Sequence, residues 1–387
     1  MPWLAGRRIW FVGIGGAGLS GYARLARAWG AEVGGWDELE TPYLEGLPAE
    51  IAPQPVVPEG WEVVVGTAYR GRVQGRSRAE FLAELVSLQP SIVVSGAHGK
   101  TTTAAMVAFA LDRLELDPAF LIGAQVPQLG GNARAGRGWL VVEGDESDRT
   151  IAALRPEIAV VTNVDLDHHS EFGSLGEVEE LFRSWVAQVP KSAVGPFDPV
   201  AFELGVPGEH NRRNAAAALA ALELAGVPGG EAVLPEFRGV GRRFEVVGEA
   251  GGVTVVDDYA HNPAKVAAVL DAARERAAGR VLALFQPHLP SRTRYLGREL
   301  GAALARADAA CVTEIYAARE ELPSGLSGKL VADAAWQARP GMMLGWAPQL
   351  EDAVRIVAGW TRRGDLVLTI GAGDVDRAAP LLLEALG

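Results

Sequence analysis

The sequence predicts an α/β protein of three domains with mostly parallel sheets. Short runs rich in valine and isoleucine alternate with helix-forming segments, and several of these runs end in glycines or polar residues. A length of 387 residues is too great for one ordinary core. Boundaries near Gln89 and within residues 237–244 divide the chain into predicted domains 1–89, 90–237 and 238–387.

Composition limits the classes of partner. The chain is 49% hydrophobic and 22% charged, which is typical of a globular protein, and its net charge is −12. This charge argues against nucleic acid or an anionic membrane as the main partner, because both would repel it. The single cysteine, Cys311, excludes an internal disulfide and a thiolate metal cluster, and we expect it to be a small buried apolar residue. Residues 9–22 are too rich in glycine and alanine for an export signal, so we expect a soluble cytoplasmic protein.

The N-terminal segment predicts a nucleotide-binding βαβ unit. A strand over residues 8–14 leads into GIGGAGLSG, where Gly13, Gly15 and Gly18 satisfy GxGxxG before a helix over 19–29. Asp37 follows a second strand over 32–36, at the position of the acid in such units. The first interpretation of a lone fingerprint of this kind is NAD binding. Residues 41–60 predict irregular surface, residues 61–65 a strand and residues 78–88 a helix.

The central segment opens with SIVVSGAHGKTTT at residues 91–103. The pattern predicts a strand, a glycine loop and a helix, with loop N–H groups, Lys100 and the helix start meeting phosphate oxygens and the Thr101 hydroxyl meeting Mg²⁺. The loop is one residue shorter than GxxxxGK[ST], whose first glycine would fall on Val94. A plain glycine turn is the alternative, but Gly-Lys-Thr-Thr-Thr at a helix start has no obvious packing purpose. The predicted ligand is a nucleoside triphosphate.

Two acidic clusters follow predicted strands in the same segment. After a strand over 119–122 and a glycine-rich loop, the strand 139–142 ends in EGDESD, and the strand 158–162 ends in NVDLDHH. The carboxyl ends of parallel strands meet at one edge of a sheet, so we expect both clusters to converge with the phosphate loop and bind Mg²⁺. Helix capping and solvation of loops are the alternative roles of these acids. Asn211 and Asn214 share a face of a predicted helix over 208–224, where their amides could contact the edge of a base.

The third segment repeats the pattern of polar groups at strand ends. It begins with Arg242 and Arg243, which either lie in solvent or contact a phosphate. Strands are predicted over 253–256, 281–285, 309–313 and 366–370, and a helix from residue 264. The segments that follow these strands are DDYAHNP, QPHLPSRTR, the residues from Glu314 to Tyr316, and GAGD.

Taken together, these motifs resemble those of the Mur ligases, the ATP-dependent amide ligases that build the peptidoglycan stem peptide. Within the family they are most similar to the ligases that join L-alanine to UDP-N-acetylmuramate. The motifs that carry the resemblance run the length of the chain in the family's order: GIGGAGLSG, SGAHGKTTT, GGNAR, EGDESD, TNVDLDHH, GEHNRRNAAAAL, GVGRRFE, DDYAHNP, FQPHLPSRT and GAGD. The short phosphate loop is the family's own form.

The resemblance implies a Rossmann-like UDP-binding first domain, a central ATP-binding domain, and a Rossmann-like third domain that closes over them with the amino acid. It implies an acyl phosphate intermediate, ATP and Mg²⁺ as cofactors, and Lys100, Glu143, His168, Arg243 and His261 as catalytic residues. The metal residues it implies are Thr101, Glu143 and His168; the choice of His168 depends on the family, because Mg²⁺ prefers oxygen ligands. The remaining implied contacts are Gly13, Gly15, Gly16, Gly18, Ser20 and Asp37 for the UDP-sugar; Gly96, His98, Gly99, Lys100, Thr101, Thr102, Asn211, Asn214, Arg243 and Asp258 for ATP; and His261, His288 and Arg292 for the amino acid.

The sequence departs from the family pattern at Ala97, Asn262 and Leu289, which stand where threonine, histidine and arginine are usual. The last two changes affect the amino-acid pocket, because an arginine there would meet a carboxylate. The chain is also short between residues 60 and 78 and between 190 and 208. Three alternatives remain: a sibling ligase that attaches a recycled tripeptide to the same UDP-sugar, a nicotinamide oxidoreductase, and a ligase-like protein that either is a non-catalytic binding protein or has an altered substrate.

Overall fold

A computed structural model describes residues 2–146, 149–165, 172–318 and 320–387. Over these ranges the strands form three sheets, built largely of parallel neighbours. The chain divides into two compact units: Met1–Gly205 with Asn211–Arg238, and Val206–His210 with Gly239–Gly387. The first unit contains two of the sheets, so the boundary near Gln89 falls inside it, between the sheets. The division into three domains stays a prediction.

The first sheet carries the glycine fingerprint. Its elements are β1 (Arg8–Val12), α1 (Ala17–Ala28), β2 (Glu32–Asp37), β3 (Ala49–Ile51), β4 (Glu62–Val65), β5 (Arg76–Ser77) and α2 (Arg78–Ser87). The parallel strands take the order β3-β2-β1-β4-β5. The prediction of irregular surface over residues 41–60 was wrong at β3, a three-residue edge strand too short to show alternation in the sequence. Helix α2 begins at Ser77, whose hydroxyl and Glu80 form a reciprocal capping box.

The second sheet places the phosphate loop at its centre. Its elements are β6 (Ser91–Ser95), α3 (Lys100–Arg113), β7 (Ala119–Val126), β8 (Gly131–Arg134), β9 (Leu140–Glu143), β10 (Ile158–Val161), α4 (Leu175–Val186), β11 (Lys191–Val194), α5 (Glu209–Leu224) and α6 (Gly230–Val233). The order β11-β10-β6-β9-β7-β8 puts β6 between β9 and β10, the strands that end in the acidic clusters. The expected convergence at this sheet edge is therefore confirmed. Part of the predicted glycine-rich loop is instead β8, an antiparallel edge strand without a hydrophobic run.

The third sheet lies in the second unit. Its elements are β12 (Glu245–Ala250), β13 (Val253–Asp258), α7 (Pro263–Arg276), β14 (Val281–Phe285), α8 (Pro290–Leu304), β15 (Ala309–Val312), α9 (Lys329–Ala338), β16 (Met343–Trp346), α10 (Leu350–Trp360), β17 (Leu366–Ile370) and α11 (Ala378–Leu386). The order is β12-β13-β17-β14-β15-β16, with β12 antiparallel to β13. Strands β13, β14, β15 and β17 run parallel, so the polar segments after them meet at one edge.

Short 3₁₀ helices complete the described secondary structure, at Pro42–Leu44, Thr67–Tyr69, Pro127–Leu129, Thr150–Ala153, Leu234–Glu236 and Val375–Arg377. The cores are built from the apolar runs of the strands: all five residues of β14 and of β17 are buried. Cys311 is buried in β15, as expected, and burial raises the pKa of its thiol to about 12. A thiol in this state is a packing residue rather than a nucleophile.

Candidate functional site

The phosphate loop joins β6 to α3 through two glycines with left-handed backbone. Gly96 has φ of +129° and Gly99, immediately before the helix, has φ of +81°. A Cβ atom on Gly96 would collide with the Thr162 hydroxyl, and one on Gly99 would collide with the Asn214 amide oxygen. The two glycines therefore meet both a conformational and a steric requirement.

Residues after β10 hold the loop from the side. The Thr162 hydroxyl and the Asn163 amide both donate to the His98 carbonyl, at 2.6 and 2.8 Å. The Asn163 amide oxygen accepts from the His98 N–H at 2.9 Å, and the His98 ring lies 3.3 Å from an Asp165 oxygen. The TNVD part of the second cluster thus shapes the loop, a role that its acidic composition did not reveal.

Lys100 is held by oxygens in the loop. Its ammonium donates to the Gly96 carbonyl at 2.8 Å and lies 3.0 and 2.8 Å from the two oxygens of Glu146. The side chains of Lys100 and Glu146 are 15% and 2% exposed. Burial alone would lower the lysine pKa, but the charges of Glu146 and Asp145 outweigh it and raise the pKa. Lys100 is therefore a fixed cation at neutral pH.

Thr101 and Glu143 form a pair of oxygen donors beside the loop. The Thr101 hydroxyl donates to one Glu143 oxygen at 2.8 Å, and the Gly123 N–H donates to the other at 2.7 Å. A hydroxyl and a carboxylate are hard oxygen donors, and they fit Mg²⁺. His168, the third predicted metal residue, lies outside the described residues. In the described ranges, no group of three or more His, Cys, Asp or Glu residues is arranged to hold a metal.

A pocket of about 200 Å³ lies between Glu143 and helix α1. Gly18 and Tyr22 of α1, Gly123 and Glu143 line it. Asn132, from the GGNAR motif, is 3% exposed and donates to the Ala17 carbonyl of α1 at 2.9 Å. This bond ties the start of the glycine-loop helix to β8, and the pocket is lined by α1 together with strands of the second sheet.

Asp37 holds the N-terminal glycine loop together. One of its oxygens accepts from the Gly15 N–H at 2.7 Å, and the other lies 3.3 Å from the Tyr69 hydroxyl. Thr41 donates to the Gly15 carbonyl at 2.7 Å. Gly13, with φ of +89°, faces the Tyr69 ring, where a Cβ atom would approach to 2.8 Å. Asp37 is 7% exposed, and its carboxylate is hydrogen-bonded within the glycine loop. Its contact with the nucleoside stays a prediction.

The remaining predicted UDP contacts differ in access. Gly16 caps α1, and a Cβ atom on Gly18 would meet no atom within 4 Å, so this turn is open beside the pocket. Ser20 is fully buried and donates to the Ala17 carbonyl at 3.1 Å. Gly16 and Gly18 are accessible to a ligand, whereas Ser20 has a contact inside the helix.

Asn211 and Asn214 share a face of α5, as predicted. The Asn214 amide donates to the Asn211 oxygen at 3.2 Å, and the residues are 6% and 9% exposed. Asn214 also lies against Gly99, so this pair adjoins the phosphate loop. Thr102 is likewise buried in the first turn of α3.

In the second unit, the two neighbouring arginines have different surroundings. Arg242 lies 3.0 Å from the Asp257 carboxylate and donates to the Gly371 and Gly373 carbonyls at 3.0 and 3.2 Å. These internal oxygens engage the Arg242 guanidinium, while its side chain stays 28% exposed. Its contact with a phosphate stays a prediction. Both guanidinium groups lie over the Tyr259 ring, 5.1 Å from its centroid for Arg242 and 5.2 Å for Arg243.

Asp258 is the last residue of β13, and it is buried. Its oxygens accept from the Phe244 and Ala260 N–H groups at 2.8 and 2.7 Å. Burial raises the pKa of Asp258 to about 6, against the opposing effects of Arg243 and the two N–H donors. The carboxylate joins the backbone at Phe244 to the backbone at Ala260. Its contact with ATP stays a prediction.

The three predicted amino-acid residues lie together. The His261 ring faces the His288 ring at 6.3 Å between centroids, and Arg292 contacts the His288 Nδ1 at 3.0 Å. His288 also stacks on Tyr316 at 5.8 Å. The His261 Nδ1 lies 2.9 Å from the Tyr259 carbonyl and can bond to it as a donor, which leaves Nε2 as an acceptor. The cluster combines a hydrogen-bond acceptor with a guanidinium.

Both histidines are held in the neutral form. Burial, followed by the charges of Lys265 and Arg292, keeps the pKa of His261 well below its ordinary value. Burial and Arg292 lower the pKa of His288 to about 4, against the opposing effect of Glu320. The cluster is therefore electropositive through its arginines and lysine, and it favours a ligand that carries a carboxylate.

The structure gives local roles to two departures from the family pattern. Asn262 caps α7, with its side-chain oxygen accepting from the Lys265 N–H at 2.9 Å. Leu289 precedes α8 with φ of +69°, and its N–H donates to the Tyr316 carbonyl at 2.9 Å. Neither residue adds a charge to the cluster.

Sequence reasoning left several residues out of the site. Glu146 and Asn163 lie inside motifs that were singled out, but their partners are Lys100 and the loop backbone, which only the fold identifies. Tyr316 was placed at a strand end without a role. Gln286 was likewise placed without one; its amide donates to Asp374 of the GAGD motif at 2.8 Å. A polar residue directly after a buried parallel strand was the common signal.

Among the described helices, none combines the length and apolar character needed to cross a membrane. The Mur ligase middle domain family matches residues 94–199, and the Mur ligase glutamate ligase domain family matches residues 242–373. Two relatives are the UDP-N-acetylmuramate–L-alanine ligases of Renibacterium salmoninarum, 38% identical over 98% of this chain and 96% of the relative, and of Rubrobacter xylanophilus, 37% identical over 98% and 100%. These alignments run over 453 and 449 positions, so this chain lacks segments that its relatives have.

Solved structures agree with this assignment. The crystal structure of the UDP-N-acetylmuramate-alanine ligase MurC from Thermotoga maritima has a TM-score of 0.82 and 26% identity, covering 97% of this chain and 98% of that one. A murein peptide ligase from Psychrobacter arcticus, at 23% identity, TM-score 0.66 and 99% coverage of both chains, shares the fold. On the strength of the full-length relatives, the chain belongs to the Mur ligase family.

Proposed function

We propose that this protein is an ATP-dependent ligase that joins L-alanine to the carboxylate of UDP-N-acetylmuramate and releases ADP and phosphate. One observation carries the proposal: within one unit, the loop that holds Lys100 adjoins the Thr101 and Glu143 pair, and this pair opens into a pocket that reaches the glycine-loop helix. A phosphate site, a pair of oxygen donors that fits Mg²⁺ and a second ligand site lie side by side in this order. This arrangement suits phosphoryl transfer from ATP to a bound acid.

The reaction requires two anions to approach each other. The carboxylate of the UDP-sugar attacks the γ-phosphorus of ATP, the bond to the β-phosphate oxygen breaks, and an acyl phosphate forms. We propose that Lys100 and the N–H groups of Gly96, His98 and Gly99 bind the phosphates, with Thr102 at the helix start. Thr101 and Glu143, with His168, would hold Mg²⁺, which would offset the charge of the transferred group.

For the donor, we propose that the UDP pyrophosphate lies at the turn of Gly13, Gly15, Gly16 and Gly18, with Ser20 and Asp37 supporting it. The helix start there offers N–H groups and a positive dipole end to an anion. The 200 Å³ pocket then suits the sugar acid, whose carboxylate would point toward Glu143 and the phosphate loop.

For the second step, the amine of alanine attacks the acyl carbon, a tetrahedral intermediate forms, and phosphate leaves as the amide forms. We propose that Arg292 and His288 bind the α-carboxylate and that the His261 Nε2 accepts a hydrogen bond from the amine. For ATP we propose Asn211 and Asn214 at adenine, and Arg243 and Asp258 at phosphate and ribose. The precursor chemistry suits action in the cytoplasm.

The nicotinamide oxidoreductase alternative leaves the phosphate loop and the Thr101–Glu143 pair without a role. The tripeptide ligase differs in the amino acceptor. We favour L-alanine as the acceptor because full-length relatives at 36–38% identity are named as L-alanine ligases. The murein peptide ligase of known structure is only 23% identical.

Phosphate release by the purified chain with ATP, Mg²⁺ and UDP-N-acetylmuramate tests the proposal, across L-alanine, L-serine, glycine and the stem tripeptide as acceptors. We expect release that requires both the UDP-sugar and L-alanine. Release that requires the tripeptide would assign the sibling activity. No release with any acceptor, despite ATP binding, would mean that the shortened chain has an altered substrate or has lost catalysis.

A further inference from the structure

We propose that Glu146 is a positioning residue that holds Lys100 beside the phosphate loop and competes for it with the phosphates of the nucleotide. Glu146 would then set the affinity for ATP and for the product ADP. This inference rests on the proposed function, because it takes the loop to be the nucleotide site.

Lys100 already has partners beside the phosphate loop. Its ammonium donates to the Gly96 carbonyl at 2.8 Å and to one Glu146 oxygen at 3.0 Å, and the other Glu146 oxygen lies 2.8 Å from its nitrogen as an ion-pair contact. A phosphate oxygen that approaches this ammonium therefore competes with the Glu146 carboxylate for the same cation. The contacts to Glu146 are the ones that carry charge.

The Glu146 carboxylate is shielded from solvent. The Glu146 side chain is 2% exposed, so water and salt screen its charge little. Glu143, the neighbouring acid, is occupied by the Thr101 hydroxyl and the Gly123 N–H. Glu146 is thus the acid in direct contact with Lys100, while Asp145 adds a second negative charge nearby. The pair of Lys100 and Glu146 has no net charge to attract a triphosphate.

The contact between Lys100 and Glu146 affects how tightly nucleotides bind. Phosphates that enter the loop gain Lys100 but meet the Glu146 carboxylate, so part of the binding free energy is spent on separating the pair. The same holds for ADP after phosphoryl transfer. Glu146 therefore weakens binding of substrate and product alike and favours release of ADP.

The test compares the dissociation constants of MgADP and of a non-hydrolysable MgATP analogue for the full chain and variants, by isothermal titration calorimetry. Glu146→Gln keeps an oxygen that can accept from Lys100 and removes the charge. We expect it to bind both nucleotides about tenfold more tightly than the unmodified protein. In turnover, the KM for ATP should fall while the KM for L-alanine stays unchanged.

Glu223→Gln is the matched control, since it removes the charge of an exposed glutamate on α5 in the same unit, and it should leave both constants unchanged. Glu146→Asp keeps the charge and should stay within about threefold of the unmodified protein. If Glu146→Gln does not fold, Glu146→Ser provides a second neutral side chain. Unchanged or weaker ADP binding in a folded neutral variant would overturn the role of Glu146. Failure of the unmodified protein to bind either nucleotide would instead overturn the proposed function, and this inference with it.

Discussion

The Thr101 hydroxyl lies 2.8 Å from a Glu143 oxygen, joining the first turn of α3 to the end of β9. The second Glu143 oxygen is fixed by the Gly123 N–H of β7. A side-chain hydroxyl on α3 and a backbone N–H on β7 therefore hold one carboxylate in place, which reduces the entropic cost of ordering a metal ligand.

This relationship predicts the metal dependence of turnover. Glu143→Gln keeps an oxygen for the Thr101 hydroxyl but removes the charge that would attract Mg²⁺. We expect the Mg²⁺ concentration for half-maximal phosphate release to rise by about 10- to 100-fold. A Mg²⁺ titration measures it, with Glu223→Gln as the control. An unchanged titration curve would remove Glu143 from the metal site.

A second prediction concerns Lys100→Ala. This change removes the cation of the phosphate loop, so ADP formation should fall by about 10³-fold or more while the protein still folds. It also removes the cation that contacts the buried Glu146 carboxylate and should lower the free energy of unfolding by about 3 kcal/mol. Adding Glu146→Gln should recover stability without activity. Near-normal turnover in Lys100→Ala would refute the assignment of the loop.

A third prediction concerns the ionisation of His288. Its pKa of about 4 lies below the ordinary value, because of burial and then the Arg292 charge. His288 should therefore stay neutral between pH 5 and 8, and its contribution to stability, present above about pH 6.5, should be lost as the pH falls toward 4, because the unfolded state binds the proton first.

Arg292→Gln tests the cause of this shift. The change removes a positive charge and keeps a donor near the His288 Nδ1, so the pKa of His288 should rise toward its ordinary value while burial still keeps it below that value. Histidine titration by NMR measures the change. A pKa that does not move would show that Arg292 does not act on His288 electrostatically.

Much of this architecture follows from local pattern. The runs at Val281–Phe285 and Leu366–Ile370 are continuously apolar and bounded by polar residues, so their strands were predicted at the observed bounds. Edge strands were missed: β12 has the sequence EVVGEA and β8 has GNAR, and both depend on an antiparallel neighbour rather than on a buried run. Their formation is decided by tertiary pairing.

The candidate site shows the same division. Gly96, Lys100 and Thr101 follow one another along the chain, and the chemistry of that order is local. The pairing of Lys100 with Glu146 spans 46 residues, and that of Arg242 with Gly371 spans 129, so no spacing in the sequence encodes them. Residue types predicted which side chains matter, and the fold decided what each one contacts.

The contrast between Arg242 and Arg243 gives the last prediction. The Arg242 guanidinium neutralises Asp257, whose side chain is 3% exposed, and bonds to the carbonyls of Gly371 and Gly373. Arg242→Ala removes the positive charge beside the buried Asp257 carboxylate and should lower the free energy of unfolding by about 3 kcal/mol. Arg243 packs on Tyr259, and Arg243→Ala should cost about 1 kcal/mol or less.

The two variants should separate in turnover as well. Arg243→Ala should raise the KM for ATP, because we assign its charge to a phosphate, whereas folded Arg242→Ala should keep a KM for ATP near that of the unmodified protein at low temperature. Urea denaturation and ATP titrations of phosphate release measure both effects. If Arg242→Ala instead loses ATP affinity while its stability is unchanged, Arg242 and not Arg243 contacts the nucleotide. An Arg242 guanidinium with an internal role could not be removed without a loss of stability, because Asp257 would lose its neutralising charge.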